Sequence, residues 1–257
     1  MPLLSLVVSP AVAEVAIGRF DPELPAISPP WQLIQLEKQV PATQFRSMQW
    51  DGVAAIEARA HKSMALLGRP ISVDLKATPV LCWRWRIDAV VHGADMGKRN
   101  GDDYAARVYV AFMLPRDALN LIDKAALAIA RRVYGPSVPD AAINYVWDNR
   151  YPMGTRKPNA YTSRAQMIVQ RSGNQAAGQW VEERVNLLDD SIAAFGSEDL
   201  RAVLVAIASD TDNTGDRARA GFADLHLVGR HERCAFDREP VRSERTPISS
   251  AGSGHPG

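Results

Sequence analysis

Residues 79–112 read PVLCWRWRIDAVVHGADMGKRNGDDYAARVYVAF, two alternating runs separated by a charged loop, and the period of those runs decides the fold class. Leu81, Trp83, Trp85 and Ile87 fall on one side of the first run, with Cys82, Arg84, Arg86 and Asp88 on the other, because successive strand side chains point to opposite faces. In the second run Ala106, Val108, Val110 and Phe112 alternate with Ala105, Arg107, Tyr109 and Ala111. If the two strands are neighbours, one sheet face carries tryptophan and valine into a core and the other presents Arg84, Arg86, Arg107 and Tyr109.

Working outward, WQLIQLE (31–37), TQFRSMQW (43–50) and VAAIEARAH (53–61) read as strands. Asp51-Gly52 between the last two tolerates positive φ and is a strong hairpin signal. SMALLGRPISVD (63–74) reads as a further strand broken by Gly68 and Pro70. One helix is expected over 117–134, where Leu119, Ile122, Ala126, Ile129, Ala130 and Val133 recur at helical spacing before Gly135-Pro136. Strands resume at 141–149, 164–173 and 179–187, and a short helical piece runs over 188–195 to Gly196. Residues 200–210 read as a fully buried strand, and 221–230 alternate again. About ten strands at intervals of roughly 10–15 residues, with no βαβ alternation, predict an all-β, jelly-roll-like β-sandwich with one or two inserted helices.

The chain has 257 residues, 46% of them apolar and 23% charged, which is enough for one sizeable core. Thirty basic against 29 acidic residues leave a formal charge of +1, so bulk charge does not point to nucleic acid and any electrostatic function is local. The apolar start ends in Ala11-Val12-Ala13 before Glu14, a small-residue pattern of the kind that closes an export signal, although a basic n-region is missing. A buried first strand is the alternative for this segment. The domain plan is a signal segment over 1–13, an extended lead-in over 14–30, one sandwich over 31–232 and a flexible polar tail over 233–257. Location in the periplasm or outside the cell is expected, with no transmembrane segment.

Cys82 and Cys234 are compatible with one disulfide in an exported protein, or with two buried thiols. The five histidines make no clamp with metal-ligand spacing, which argues against zinc. In ASDTDNTGD (208–216), Asp210, Asp212 and Thr214 alternate before Gly215, matching the first half of a calcium loop. The bidentate Glu is absent, so the alternative is a turn held by its own Asp and Asn side chains. Calcium at Asp210 and Asp212 is therefore the only cofactor considered. An end-of-sheet cluster of these residues with Asp102 and Asp103 would need either that ion or arginines as countercharge.

Segment 144–164 sets Trp147, Tyr151 and Tyr161 among Asn144, Asp148, Asn149, Arg150 and Asn159. Rings beside amides and carboxylates suit a saccharide groove, with Trp147, Asn149, Asn159 and Tyr161 as contacts; Trp147 as a core residue is the competing reading. Arg84, Arg86, Arg107 and Tyr109 either form a cationic platform for carboxylated or phosphorylated ligands or pair with carboxylates such as Glu57, Glu182 or Glu183. Asp102, Asp103, Glu182, Glu183 and Asp210 supply carboxylates for a glycosidase pair. No GxSxG, P-loop or GxGxxG motif occurs.

The blocks WDGVAAIEA, TPVLCWRWRID, GDDYAARVYVAF, NYVWDNR, PNAYT, WVEERVNL and AIASDTDNTGDRARAGFADLHLV, in this order, resemble the bacterial domain-of-unknown-function family 3047 over most of 31–228. The resemblance implies an exported bacterial protein whose closing strand-loop-strand is similar to that of carbohydrate-binding sandwiches, and it implies no catalytic residue. The reading is an exported protein that binds a saccharide or another polar ligand. A polysaccharide-degrading hydrolase or lyase and a structural envelope protein are the alternatives.

Overall fold

The computed structural model describes residues 14–119, 121–134 and 138–236. Its strands are β1 (Val15–Gly18), β2 (Gln32–Ile34), β3 (Gln44–Trp50), β4 (Val53–His61), β5 (Leu66–Pro70), β6 (Val80–Ile87), β7 (Arg107–Met113), β8 (Ala141–Asp148), β9 (Arg156–Pro158), β10 (Ala165–Ser172), β11 (Val181–Asn186), β12 (Arg201–Ala208) and β13 (Arg217–Val228). Helix α1 (Leu121–Tyr134) lies between β7 and β8, and α2 (Leu187–Phe195) follows β11 directly.

Two sheets form. The first runs β11-β6-β13-β4-β3, with β1 also on β13; the second runs β2-β5-β12-β7-β8-β10-β9. Within them, β4-β13-β6-β11 faces β5-β12-β7-β8, and along these eight strands the chain crosses between sheets at β4 to β5, β5 to β6, β6 to β7, β8 (by way of β9 and β10) to β11, β11 to β12 and β12 to β13. That ordering of eight strands is a jelly roll, and it bears out the all-β sandwich with its inserted helices. β8 and β10 pair in parallel, with the segment 149–164 returning the chain to the start of the next strand.

The crossing from β6 to β7 corrects the reading of 79–112. The two strands lie in different sheets, and Arg84 and Arg86 share no face with Arg107 and Tyr109. Their apolar sides do meet the same core. Trp83 and Trp85 stand 5.4 Å apart, Trp83 lies 5.4 Å from Tyr145, and Trp85 lies 5.6 Å from Trp147, so rings from β6 and β8 of opposite sheets pack between the layers. Trp147 is 1% exposed.

Local chemistry sets the remaining joints. Asp51 and Gly52 take φ of 49° and 79° in the β3–β4 turn, the left-handed pair that a tight hairpin needs. Asn186 caps α2 by accepting from the Asp189 amide at 3.1 Å, and Gly196 ends it in the left-handed region. Two segments depart from expectation. The lead-in contains β1, paired with β13, and residues 234–236 are packed against the sandwich: Cys82 and Cys234 form a disulfide with Cα atoms 5.9 Å apart, and Phe236 is buried. The expected signal segment 1–13 and tail residues 237–257 lie outside the described residues. Among the described residues no helix is long and apolar enough to cross a membrane.

Candidate functional site

At one end of the second sheet, β7 begins and β12 ends side by side, which brings Arg107 opposite Ala208. Arg107 is 2% exposed. Its Nε donates to Asp210 Oδ1 at 2.8 Å and its Nη1 to Asp102 Oδ1 at 3.3 Å, and a second guanidinium nitrogen pairs with Asp210 Oδ2. The Tyr104 ring lies 4.4 Å and the Tyr109 ring 5.9 Å from the guanidinium carbon. Burial pushes both phenols well above their usual range, and Tyr109 is half-buried.

Asp103, with no exposed surface, accepts from the Asn213 amide and side chain at 3.3 and 3.2 Å and from the Thr214 amide at 2.6 Å. Asn159 donates to Asp102 at 2.8 Å. The Tyr161 hydroxyl donates to Asn213 Oδ1 at 2.7 Å and lies 3.0 Å from the Arg99 carbonyl. The Asp210 loop, Asp102 and Asp103 thus converge as the sequence suggested, with Arg107 the one arginine of the expected three among them.

Asp103, Asp210 and Asp212 each place one carboxylate oxygen within 4.8 Å of the others, close enough to share a divalent cation. Protein groups already answer Asp103 and Asp210. Asp212 Oδ1 is buried without a hydrogen-bond partner, and burial, then the neighbouring Asp103, raises its carboxyl above the usual range.

The other expected contacts scatter. Trp147 belongs to the core and donates its Nε1 to the Gly173 carbonyl at 3.0 Å, so it offers no ring to a ligand. Asn149 Nδ2 is used by the His92 and Ala94 carbonyls at 2.9 and 3.0 Å. Tyr161, 51% exposed, keeps an open ring, with the Arg99 guanidinium 5.5 Å above it. Arg84 donates to Asp224 at 2.6 Å and to the Phe236 carbonyl at 3.0 Å. Arg86 pairs with Asp51, donates to the Gly178 carbonyl at 3.0 Å and lies 4.2 Å from the Trp50 ring centre.

The outer face of the first sheet holds a more open arrangement. Across β3, β4 and β13 the register sets Gln44 opposite Arg59 and Arg59 opposite Arg219, and one step along sets His61 opposite Arg217. Buried Glu57 ties Arg219 at 2.6 Å and Arg59 at 3.0 Å, and pairs also with Arg46. Arg219 lies 3.8 Å from the centre of Trp50, which meets Trp180 edge to face at 6.1 Å. Beside them an open cavity of about 640 Å³ is walled by Gln44, Arg59, His61, Asp88, Arg217 and Arg219, among others. These arginines were not singled out in the sequence, although Arg217 and Arg219 alternate within one strand. Their convergence needed the pairing of β13 with β4.

Fold and face together define a jelly-roll sandwich with a polar, cation-lined outer surface. Residues 29–226 match the family described as protein of unknown function (DUF3047), and the chain belongs to that family. No curated protein matches it in sequence. Solved structures with a similar shape include the family 30 carbohydrate-binding module of a cellulosomal cellulase of Clostridium thermocellum, 11% identical with TM-score 0.36 over 87% of this chain and 95% of that one. The xyloglucanase domain of NopAA, a type three effector from Sinorhizobium fredii, is 10% identical with TM-score 0.40 over 78% and 93%. A family 12 xyloglucanase from Bacillus licheniformis is 11% identical with TM-score 0.34 over 84% and 91%. Superposition at that level says nothing of ligand or activity.

Proposed function

We propose that the protein is a non-catalytic binding module that takes a saccharide on the outer face of the sheet β11-β6-β13-β4-β3. The observation that carries this reading is the open cavity on that face, because Gln44, His61 and Arg217 line it with side chains that have no hydrogen-bond or ion-pair partner among the described residues. Unused donors around a cavity of a few hundred Å³ are what hydroxyl-rich ligands require. The half-buried Trp180 edge lies on the same face. Against catalysis stand Asp102 and Asp103, which are buried and held by hydrogen bonds, so they lack the open water-accessible geometry of a glycosidase pair.

Action outside the cytoplasm belongs to the same proposal. It is supported by the Cys82–Cys234 disulfide, since such bonds persist in oxidising compartments, and by Ala11-Val12-Ala13. Amino-terminal sequencing of the native product is expected to begin at Glu14.

A glycan array probed with the full chain tests the binding. Retention of at least one oligosaccharide class, lost in Arg217→Ala with His61→Ala, is the expected result. An array with no bound glycan would transfer the protein to a structural role in the envelope.

A further inference from the structure

We infer that the cavity beside Arg217 takes an oxyanion carried on the saccharide, a uronate carboxylate or a sulfate ester; this rests on the saccharide reading above. The wall is unevenly charged for a chain whose formal charge is only +1. Arg59, Arg217, Arg219 and His61 line it, against one carboxylate, Asp88, and that carboxylate already receives Arg219 Nη1 at 3.4 Å.

The arginines are also close neighbours by register. Arg59 and Arg219 sit directly opposite on adjacent strands, an arrangement that repels unless something negative lies between. Below them that role falls to Glu57, which is 1% exposed and shared with Arg46. Among the described residues no carboxylate bridges the pair on the outward side, where Asp88 reaches Arg219 alone. Among the described residues Arg59 is engaged only through Nε, which leaves its outer nitrogens open, and the Arg217 side chain has no partner.

Guanidinium groups bind planar or tetrahedral oxyanions through paired N–H donors, a geometry that an ammonium group cannot reproduce. Two such forks and the Gln44 amide around one cavity therefore suit a charged sugar better than a neutral one. Arg219, stacked on Trp50 and held by Glu57, is the fixed wall against which the ligand sits.

The test is calorimetric titration of the full chain with a tetragalacturonate, with its carboxyl-reduced neutral counterpart, and with a sulfated tetrasaccharide. At least tenfold tighter binding of one charged sugar than of the neutral one is expected, weakening as salt is raised. Arg217→Ala should lose about tenfold in affinity and Arg217→Lys should recover only part of it, with melting temperature unchanged because the side chain is exposed and unpaired. The tighter of the two charged ligands identifies the anion. Equal affinity for neutral and charged sugars overturns the inference and leaves the binding function standing. Failure of all three ligands, together with an empty array, overturns both.

Discussion

Trp147 shows what alternation can and cannot say about a single residue. Its position on a strand places it on one face or the other, and the polar residues around it argued for the surface, yet the ring stacks near Trp85 in the core. Trp147→Ala is expected to cost about 3–5 kcal/mol of stability, as large-to-small core changes do, and to leave glycan affinity per folded molecule unchanged; denaturant titration beside calorimetry checks both. His226 is a second buried residue whose chemistry was invisible in sequence. The Ala235 amide can only donate, so His226 Nε2 accepts it at 3.1 Å, and the Nδ1 proton goes to the Asp224 carbonyl at 2.6 Å. Burial holds the imidazole below its usual value, against the Asp224 carbonyl and Glu14, while Arg19 works in the same sense as burial. A depressed folded value means that this stabilisation is present above the unfolded value of about 6.5 and is lost as pH falls through the folded one. Wild-type melting temperature should therefore fall faster than that of His226→Gln between about pH 6.5 and 5.

At the level of elements, the strands β2 to β8 and β10 to β13 were legible from runs of alternating or apolar residues bounded by turn signals. Their partners were less so. Residues 88–106 are too long for a hairpin loop between β6 and β7, a signal that could have separated Arg84 and Arg86 from Arg107. Strands β1 and β9 were missed because four and three residues are too few to show a period. The Asp210 loop was correctly joined to Asp102 and Asp103, since a buried strand must deliver its end to a sheet edge. The countercharge could not be read without Arg107 in place. Asp212 supplies the test for calcium. Its carboxyl is raised in the fold, so at neutral pH its charge costs stability, and that cost vanishes as pH falls below the unfolded value of about 4. In chelator, Asp212→Asn should melt above wild type at pH 7, with the gain fading toward pH 4. If millimolar calcium raises the melting temperature of wild type and not of the variant, the ion sits there; equal melting in calcium and chelator leaves Arg107 and the amides as the countercharges.

For the molecule as a whole, the disulfide joins points 152 residues apart, from a central strand of the first sheet to the segment beyond β13. A covalent tie over so long a stretch restricts the unfolded chain strongly, and its removal in small exported domains costs about 2–5 kcal/mol. Denaturant unfolding with and without dithiothreitol, and in a Cys82→Ser, Cys234→Ser variant, should show a loss of that order in both; no difference would mean that His226, Arg84 and Phe236 anchor the segment unaided. A different consequence follows from β9. The seven-stranded sheet terminates there in Arg156-Lys157-Pro158, three residues in which two carry positive charge and one lacks an amide hydrogen. An outermost strand of that make-up gives an approaching β-strand neither a long ladder of donors nor a neutral surface. The parallel β8–β10 pair thus ends in a self-limiting border, which discourages one molecule from templating the misassembly of the next at high protein concentration.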